Sequence, residues 1–176
     1  MTIIQGSTDL VMDDNVGHSC GTISHHALVD GGANTGLGNP KHIRRLWYAD
    51  PPRFVNVTGA GGNKINDIKV ATFAAKVMTN QGIQLILVFH EYGEIDHGPT
   101  VHSKIQMACA GCKVGDLPQG MGGTQDIVAY TRNGDFNIPI VFKSGLPFIE
   151  MEYPTDDELS KLSWVEMTQS TPWDPS

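Results

Sequence analysis

Cysteine is scarce in this chain and odd in number: Cys20, Cys109 and Cys112 are the three present. An odd handful of thiols does not make the disulfide framework of a small secreted domain, so reduced cysteines and an intracellular, cytoplasmic setting are expected. Charge is sparse as well, at 18% of residues, and the 12 Lys and Arg are outnumbered by 19 Asp and Glu, for a net charge of −7. The densest basic run is Lys41-His42-Ile43-Arg44-Arg45. It is too short to line a groove that tracks phosphates, which argues against nucleic acid as a partner. Long apolar runs are missing too. The longest, Ile83 to Phe89, is interrupted by Gln84 and falls far short of the roughly 20 residues of a membrane-spanning helix. Met1-Thr2-Ile3-Ile4-Gln5-Gly6 has no basic stretch leading into an apolar core, so neither a signal peptide nor a membrane partner is expected and the chain reads as soluble. No repeat of fixed period is visible, and no glycine-rich run carries the lysine and following Ser or Thr of a phosphate loop.

What remains is a chain of 176 residues, 40% apolar, with 20 Gly and 10 Pro. That length suits one domain with a proper core, and the balance favours strands and turns over a helical bundle. The expected organisation is an arm over residues 1–24, a domain over 25–162 and a tail over 163–176 that carries Trp164 and Trp173. His25 to Val29 is the first convincing strand, after a weaker one over Thr8 to Met12. Lys41 to Tyr48 reads as a helical turn or irregular link, ended by Asp50-Pro51-Pro52. Phe54 to Thr58 and Ile65 to Val70 are β-rich runs flanking Gly59-Ala60-Gly61-Gly62-Asn63, the composition of a hairpin with a glycine-rich tip. Ile68 to Met78 and Ile83 to Phe89 are expected as a core strand pair, followed by a polar loop over His90 to Gly98. Thr100 to Met107 is a strand or a helical turn. Asn133-Gly134 marks a two-residue hairpin turn, and Ser144-Gly145 a second reversal into Leu146 to Met151. Thr155-Asp156-Asp157-Glu158 is a capping box that predicts one short C-terminal helix to about Leu162.

The chemistry concentrates at Ala27-Leu28-Val29-Asp30-Gly31-Gly32-Ala33-Asn34. An apolar strand delivers a carboxylate to a tight turn, and the glycines let backbone amides approach it and leave room beside it. Asp-Gly-Gly is also an ordinary turn composition, so structural and catalytic readings stand side by side. Asp67, Asp96, Asp116, Asp126 and Asp135 lack a comparable surround.

That octapeptide resembles the active-site turn of the retropepsin-like aspartic proteases, in which an apolar strand leads to Asp, Ser or Thr, Gly, Ala and a small polar residue. Asp30, Gly32, Ala33 and Asn34 fit the pattern, and Gly31 departs from it. Further pieces follow in order: Val57 to Asn63, Thr100 to Met107, Gly122 to Ile127, Ile138 to Met151 and Thr171 to Pro175. Together they are similar to the protease region of copia-type retrotransposon polyproteins, especially those of microalgae, over residues 27 to about 175. The resemblance implies a mostly β retropepsin-like acid-protease fold, no cofactor, and one catalytic Asp per chain, Asp30. It also implies peptide-bond hydrolysis by a homodimer. In it, Thr58, Gly59, Ala60, Gly61 and Gly62 form a substrate-binding flap, where the bare pattern allows a plain surface hairpin. At position 31 the family carries a hydroxyl that bonds across the two active-site turns. Two functions therefore follow, an aspartic endopeptidase acting on polypeptide and a catalytically silent module of the same fold that binds or assembles proteins.

Two other constellations compete. His90, His97 and His102, with Cys109-Ala110-Gly111-Cys112 downstream, are zinc-ligand types, but one Cys-x-x-Cys without a second pair is a weak signal, and His18, Cys20, His25 and His26 do not complete it. Ser103 beside His102 is not a nucleophile and base, because neighbours on a strand point to opposite faces.

Overall fold

The computed structural model describes residues 24–59 and 62–174. Strands dominate it, in chain order β1 (Ser24–Asp30), β2 (Leu37–Gly38), β3 (Arg44–Tyr48), β4 (Phe54–Thr58), β5 (Lys64–Met78), β6 (Gln84–Glu94) and β7 (Val101–Ser103). After helix α1 (Lys104–Cys109) come β8 (Lys113–Gly115), β9 (Asp126–Thr131), β10 (Gly134–Pro139), β11 (Val141–Lys143) and β12 (Leu146–Glu152), then helix α2 (Asp156–Lys161) and β13 (Trp164–Glu166). The expected mostly β character is what the chain adopts.

Ten strands form one sheet in the order β11-β12-β1-β7-β2-β6-β5-β3, with β13 added beside β6 and β4 beside β5. A bridge from Glu152 to Lys76 returns β12 to β5, so the path from β12 through β1, β7, β2 and β6 to β5 closes on itself. Lys76, buried at this closure, reaches Glu152 at 2.5 Å and Glu158 of α2 at 2.6 Å. A smaller sheet, β10-β9-β8, packs alongside.

The apolar run of β6 is explained by burial on both faces. Leu85, Leu87 and Phe89 enter the main core with Phe73, Ala75 and Val77 of β5, and Ile86 and Val88 point the other way with Ala74. Leu159 and Leu162 cover that second cluster, which is what α2 is for. The capping box holds its start, with Thr155 Oγ1 accepting from Glu158 N and the Glu158 carboxylate accepting from Thr155 N at 2.8 Å. Ser144 and Gly145, at φ 50° and 80°, make the tight turn between β11 and β12, in which Lys143 faces Leu146. At the other hairpin, Thr131 faces Gly134, so the two turn residues are Arg132 and Asn133, and Gly134 (φ 121°) starts β10.

Several expectations are corrected. Lys41 to Tyr48 holds no helical turn: Arg44 to Tyr48 is a strand on β5, interrupted by a bulge between Arg45 and Trp47. The polar segment after Phe89 is not a loop from its first residue, because β6 runs on to Glu94. Among the described residues two short α-helices are present rather than one, since Lys104 to Cys109 is helical with Ser103 as its N-cap. The segment expected as a tail enters the sheet through β13, which runs parallel to β6, and Val165, Met167 and Thr168 are buried. The expected strand over Thr8 to Met12 and the arm up to residue 23 lie outside the described residues. Among the described residues no helix is long and apolar enough to cross a membrane.

Candidate active site at the acid turn

Strand β1 ends on Asp30 between two neighbours, antiparallel β12 and parallel β7. In the parallel register Val29 faces His102 and Asp30 faces Ser103. Ala27 and Val29 point into the core and fix the strand by burial, so the chain leaves the sheet with the Asp30 carboxylate partly exposed. The Gly32 amide donates to Asp30 Oδ1 at 2.7 Å, and Gly31 and Gly32 lie at the surface.

The far limb of the turn is pinned from two sides. Ser103 Oγ donates to the Ala33 carbonyl at 2.7 Å while accepting from Gln106 N at 3.3 Å. The buried Gln106 side chain accepts from Gly36 N at 2.9 Å and donates to the Glu91 carbonyl at 3.2 Å, tying the turn to β6. Behind it there is no space: a Cβ on Gly36 would lie 2.2 Å from the Tyr92 ring. Lys104, the first residue of α1, passes beside Gly31 and pairs with Asp116 at 2.7 Å.

An open cleft of about 510 Å³ borders the turn, lined by Gly31, Gly32, Ala33 and Asn34 with Ile105 and Cys109 of α1 and with Trp173 and Asp174. The Trp173 indole N–H donates to the Asn34 carbonyl at 2.7 Å.

The glycine-rich hairpin forms where it was expected. Thr58 faces Lys64, Gly59 N donates to Asn63 O at 2.8 Å, and Gly62 takes φ 79°. Ala60 and Gly61 lie outside the described residues. The hairpin base converges with the chain leaving the acid turn: a Cβ on Gly93 would lie 3.1 Å from both Ile68 and Leu37 and 3.3 Å from Val55. The described hairpin residues make no hydrogen bond to residues 30–34.

The zinc-type residues are scattered. The His102 ring is fully buried, stacked on Phe89 at 4.2 Å, with Nδ1 3.0 Å from Tyr92 Oη and Nε2 3.3 Å from Met151 Sδ. Burial pulls its pKa down to about 3, so it is a neutral core residue. It faces away from Ser103, whose hydroxyl serves the acid turn. His90 is buried against Thr72 at 3.1 Å, and His97 is exposed beside Asp96. Cys112 is buried, with its thiol pushed up to about 11 by desolvation, whereas Cys109 is exposed at the cleft. Among the described residues no group of three or more His, Cys, Asp or Glu is placed to hold a metal ion.

Sequence reasoning missed Ser103 and Gln106 as supports of the turn, and Glu91 and Trp173 near it. Ser103-Lys104-Ile105-Gln106 did carry a signal, the Ser-x-x-Gln spacing of a capping box; Gln106 spends its side chain on the turn instead of closing the box. No known family matches the chain, and neither a curated protein nor a solved structure matches it.

Proposed function

We propose that this chain is a retropepsin-like aspartic endopeptidase that works as a symmetric homodimer, with the Asp30 of each copy forming the acid pair. The observation that carries the reading is the strand-end carboxylate itself. It is held by the Gly32 amide at 2.7 Å, displayed on two exposed glycines, and buttressed by Ser103 and Gln106 beside an open cleft.

Two carboxyls brought together across a two-fold axis do not both ionise, because the second charge is repelled by the first, so they share one proton. The ionised member draws a proton from a water that attacks the scissile carbonyl, and the protonated member donates to the carbonyl oxygen. The glycine-tipped hairpin, whose base meets Leu37 just after the acid turn, covers the substrate. The biological setting we assign is processing of a retrotransposon polyprotein, or a domesticated derivative of that role.

Gly31 favours a second reading, a catalytically silent protein-binding or assembly module. Without a hydroxyl at this position the two turns lose their cross-chain bonds, a deficit of a few kcal/mol for buried hydrogen bonds. Sedimentation equilibrium tests the assembly: dimer at micromolar concentration supports the endopeptidase, and monomer alone at high micromolar concentration, with or without a peptide inhibitor, argues against it.

A further inference from the structure

Chain after Thr168 behaves differently from chain before it. Up to that point β13 and its extension are joined to β6: Met167 N donates to Val88 O at 2.8 Å, and Thr168 Oγ1 accepts from His90 N at 2.7 Å and donates back to His90 O at 2.9 Å. From Gln169 to Asp174 the chain belongs to no strand and crosses the molecular surface as a strap. It is held by Gln169 Nε2 on the Cys109 carbonyl at 2.8 Å, by Trp173 N on Glu91 Oε2 at 3.1 Å, and by the Trp173 indole on Asn34 O at 2.7 Å.

This strap partitions two clefts. Ser170 and Pro172 border one of about 430 Å³, whose other wall includes Trp47, Tyr48 and Arg53. Trp173 and Asp174 border the cleft beside the acid turn. Between them the strap lies in a groove of its own, which runs from the Asn34 carbonyl of the acid turn to Glu91 beside Arg53.

The groove floor carries a built feature for an extended chain. Glu91 is 9% exposed, holds φ at 62°, and is ion-paired with Arg53, so its carboxylate is held at a fixed place, where it accepts a backbone N–H from the strap. A left-handed non-glycine residue is strained, and such strain persists where the surroundings enforce a particular side-chain placement. A backbone N–H is offered by any extended peptide. The Asn34 carbonyl adds selectivity, since the bond it receives there comes from an indole.

We infer that this groove is a recognition subsite for a tryptophan-bearing peptide, filled in cis by the chain's own Pro172-Trp173-Asp174. The inference rests on the endopeptidase reading only in making that peptide the substrate class; as a binding site it stands alone. In cis occupancy the strap competes with any peptide arriving in trans, because a tethered ligand acts at an effective concentration of about millimolar.

The test is binding of a fluorescent Gln-Ser-Thr-Pro-Trp-Asp peptide to the full chain, read by anisotropy without turnover. Trp173→Ala is expected to bind it at least tenfold more tightly than wild type, and a peptide with Ala for Trp is expected to lose that binding. Trp173→Phe keeps an aromatic ring but loses the indole N–H and part of the indole's bulk, so it gives an intermediate gain and serves where the alanine variant is unstable. Folded variants that bind no better than wild type, or that bind both peptides equally, overturn the inference. A chain that binds the peptide yet cleaves nothing sinks the endopeptidase reading and leaves the subsite standing; one that cleaves but shows no strap competition does the reverse.

Discussion

The hydroxyl of Ser103 donates a 2.7 Å hydrogen bond to the carbonyl oxygen of Ala33. One side chain thereby caps helix α1 and braces the turn that displays Asp30. Ser103→Ala removes both functions from a fully buried position, so a loss of about 1–2 kcal/mol in unfolding free energy is expected. Urea denaturation checks it. A change within 0.5 kcal/mol, about the scatter of neutral substitutions, would mean that the brace is incidental.

Gly36 is the next support. Its missing Cβ is where the Tyr92 ring lies, 2.2 Å away, and Tyr92 is itself fully buried between Phe89 and His102. Gly36→Ala is expected to cost about 3 kcal/mol, at the upper end for overpacking a core. A thermal melt of this variant that coincides with wild type contradicts the packing described here.

Much of the framework was legible in the sequence, and the exceptions share a cause. Ile83 to Phe89 announced itself because a strand buried on both faces must be apolar throughout, and Thr155 to Glu158 because a capping box is local. Arg44 to Tyr48 was not legible as a strand: it is an edge strand fixed by its register on β5 and by ion pairs of Arg44 with Asp156 and Arg45 with Glu94, all distant in sequence. His90 and Glu91 looked like loop residues because their partners, Thr72, Arg53 and Thr168, are invisible locally. At the candidate site, the strand that ends on Asp30 and the turn after it were legible locally. Trp173 was not, since its contacts reach back 82 residues to Glu91 and 139 to Asn34.

His102 sets an acid limit on the fold. It is neutral in the folded protein down to about pH 3, whereas in the unfolded chain it takes a proton near pH 6.5. Between those values the unfolded state binds the extra proton, so stability falls as pH falls, at up to about 1.4 kcal/mol per pH unit. His102→Phe is expected to lose about 1–3 kcal/mol at pH 7 by removing the buried hydrogen bond between Tyr92 Oη and His102 Nδ1, but to show a shallower pH slope between 6.5 and 3. Denaturation curves at several pH values check this, and an unchanged slope rules His102 out as its source.

Gly31 is the position at which the family pattern and this chain part. A Cβ there would find Lys104 Cδ as its nearest neighbour at 3.9 Å, and the backbone is not in the left-handed region, so serine fits without strain. Gly31→Ser is expected to change monomer stability by less than about 0.5 kcal/mol, to tighten the dimer, and to raise the rate of peptide cleavage. Sedimentation and a cleavage assay read the last two. A weaker dimer or slower cleavage from a folded Gly31→Ser protein contradicts the role given to this position.

The most direct measurement of the central claim is cleavage of a broad peptide library across pH 3 to 8 by wild type and Asp30→Asn, with sedimentation of both. The account predicts slow cleavage by the wild-type dimer, strongest on the acidic side of neutrality where the acid pair holds one proton, and none by a folded Asp30→Asn dimer. Cleavage that survives Asp30→Asn, or a library left uncut by folded dimers of both wild type and Gly31→Ser, contradicts it.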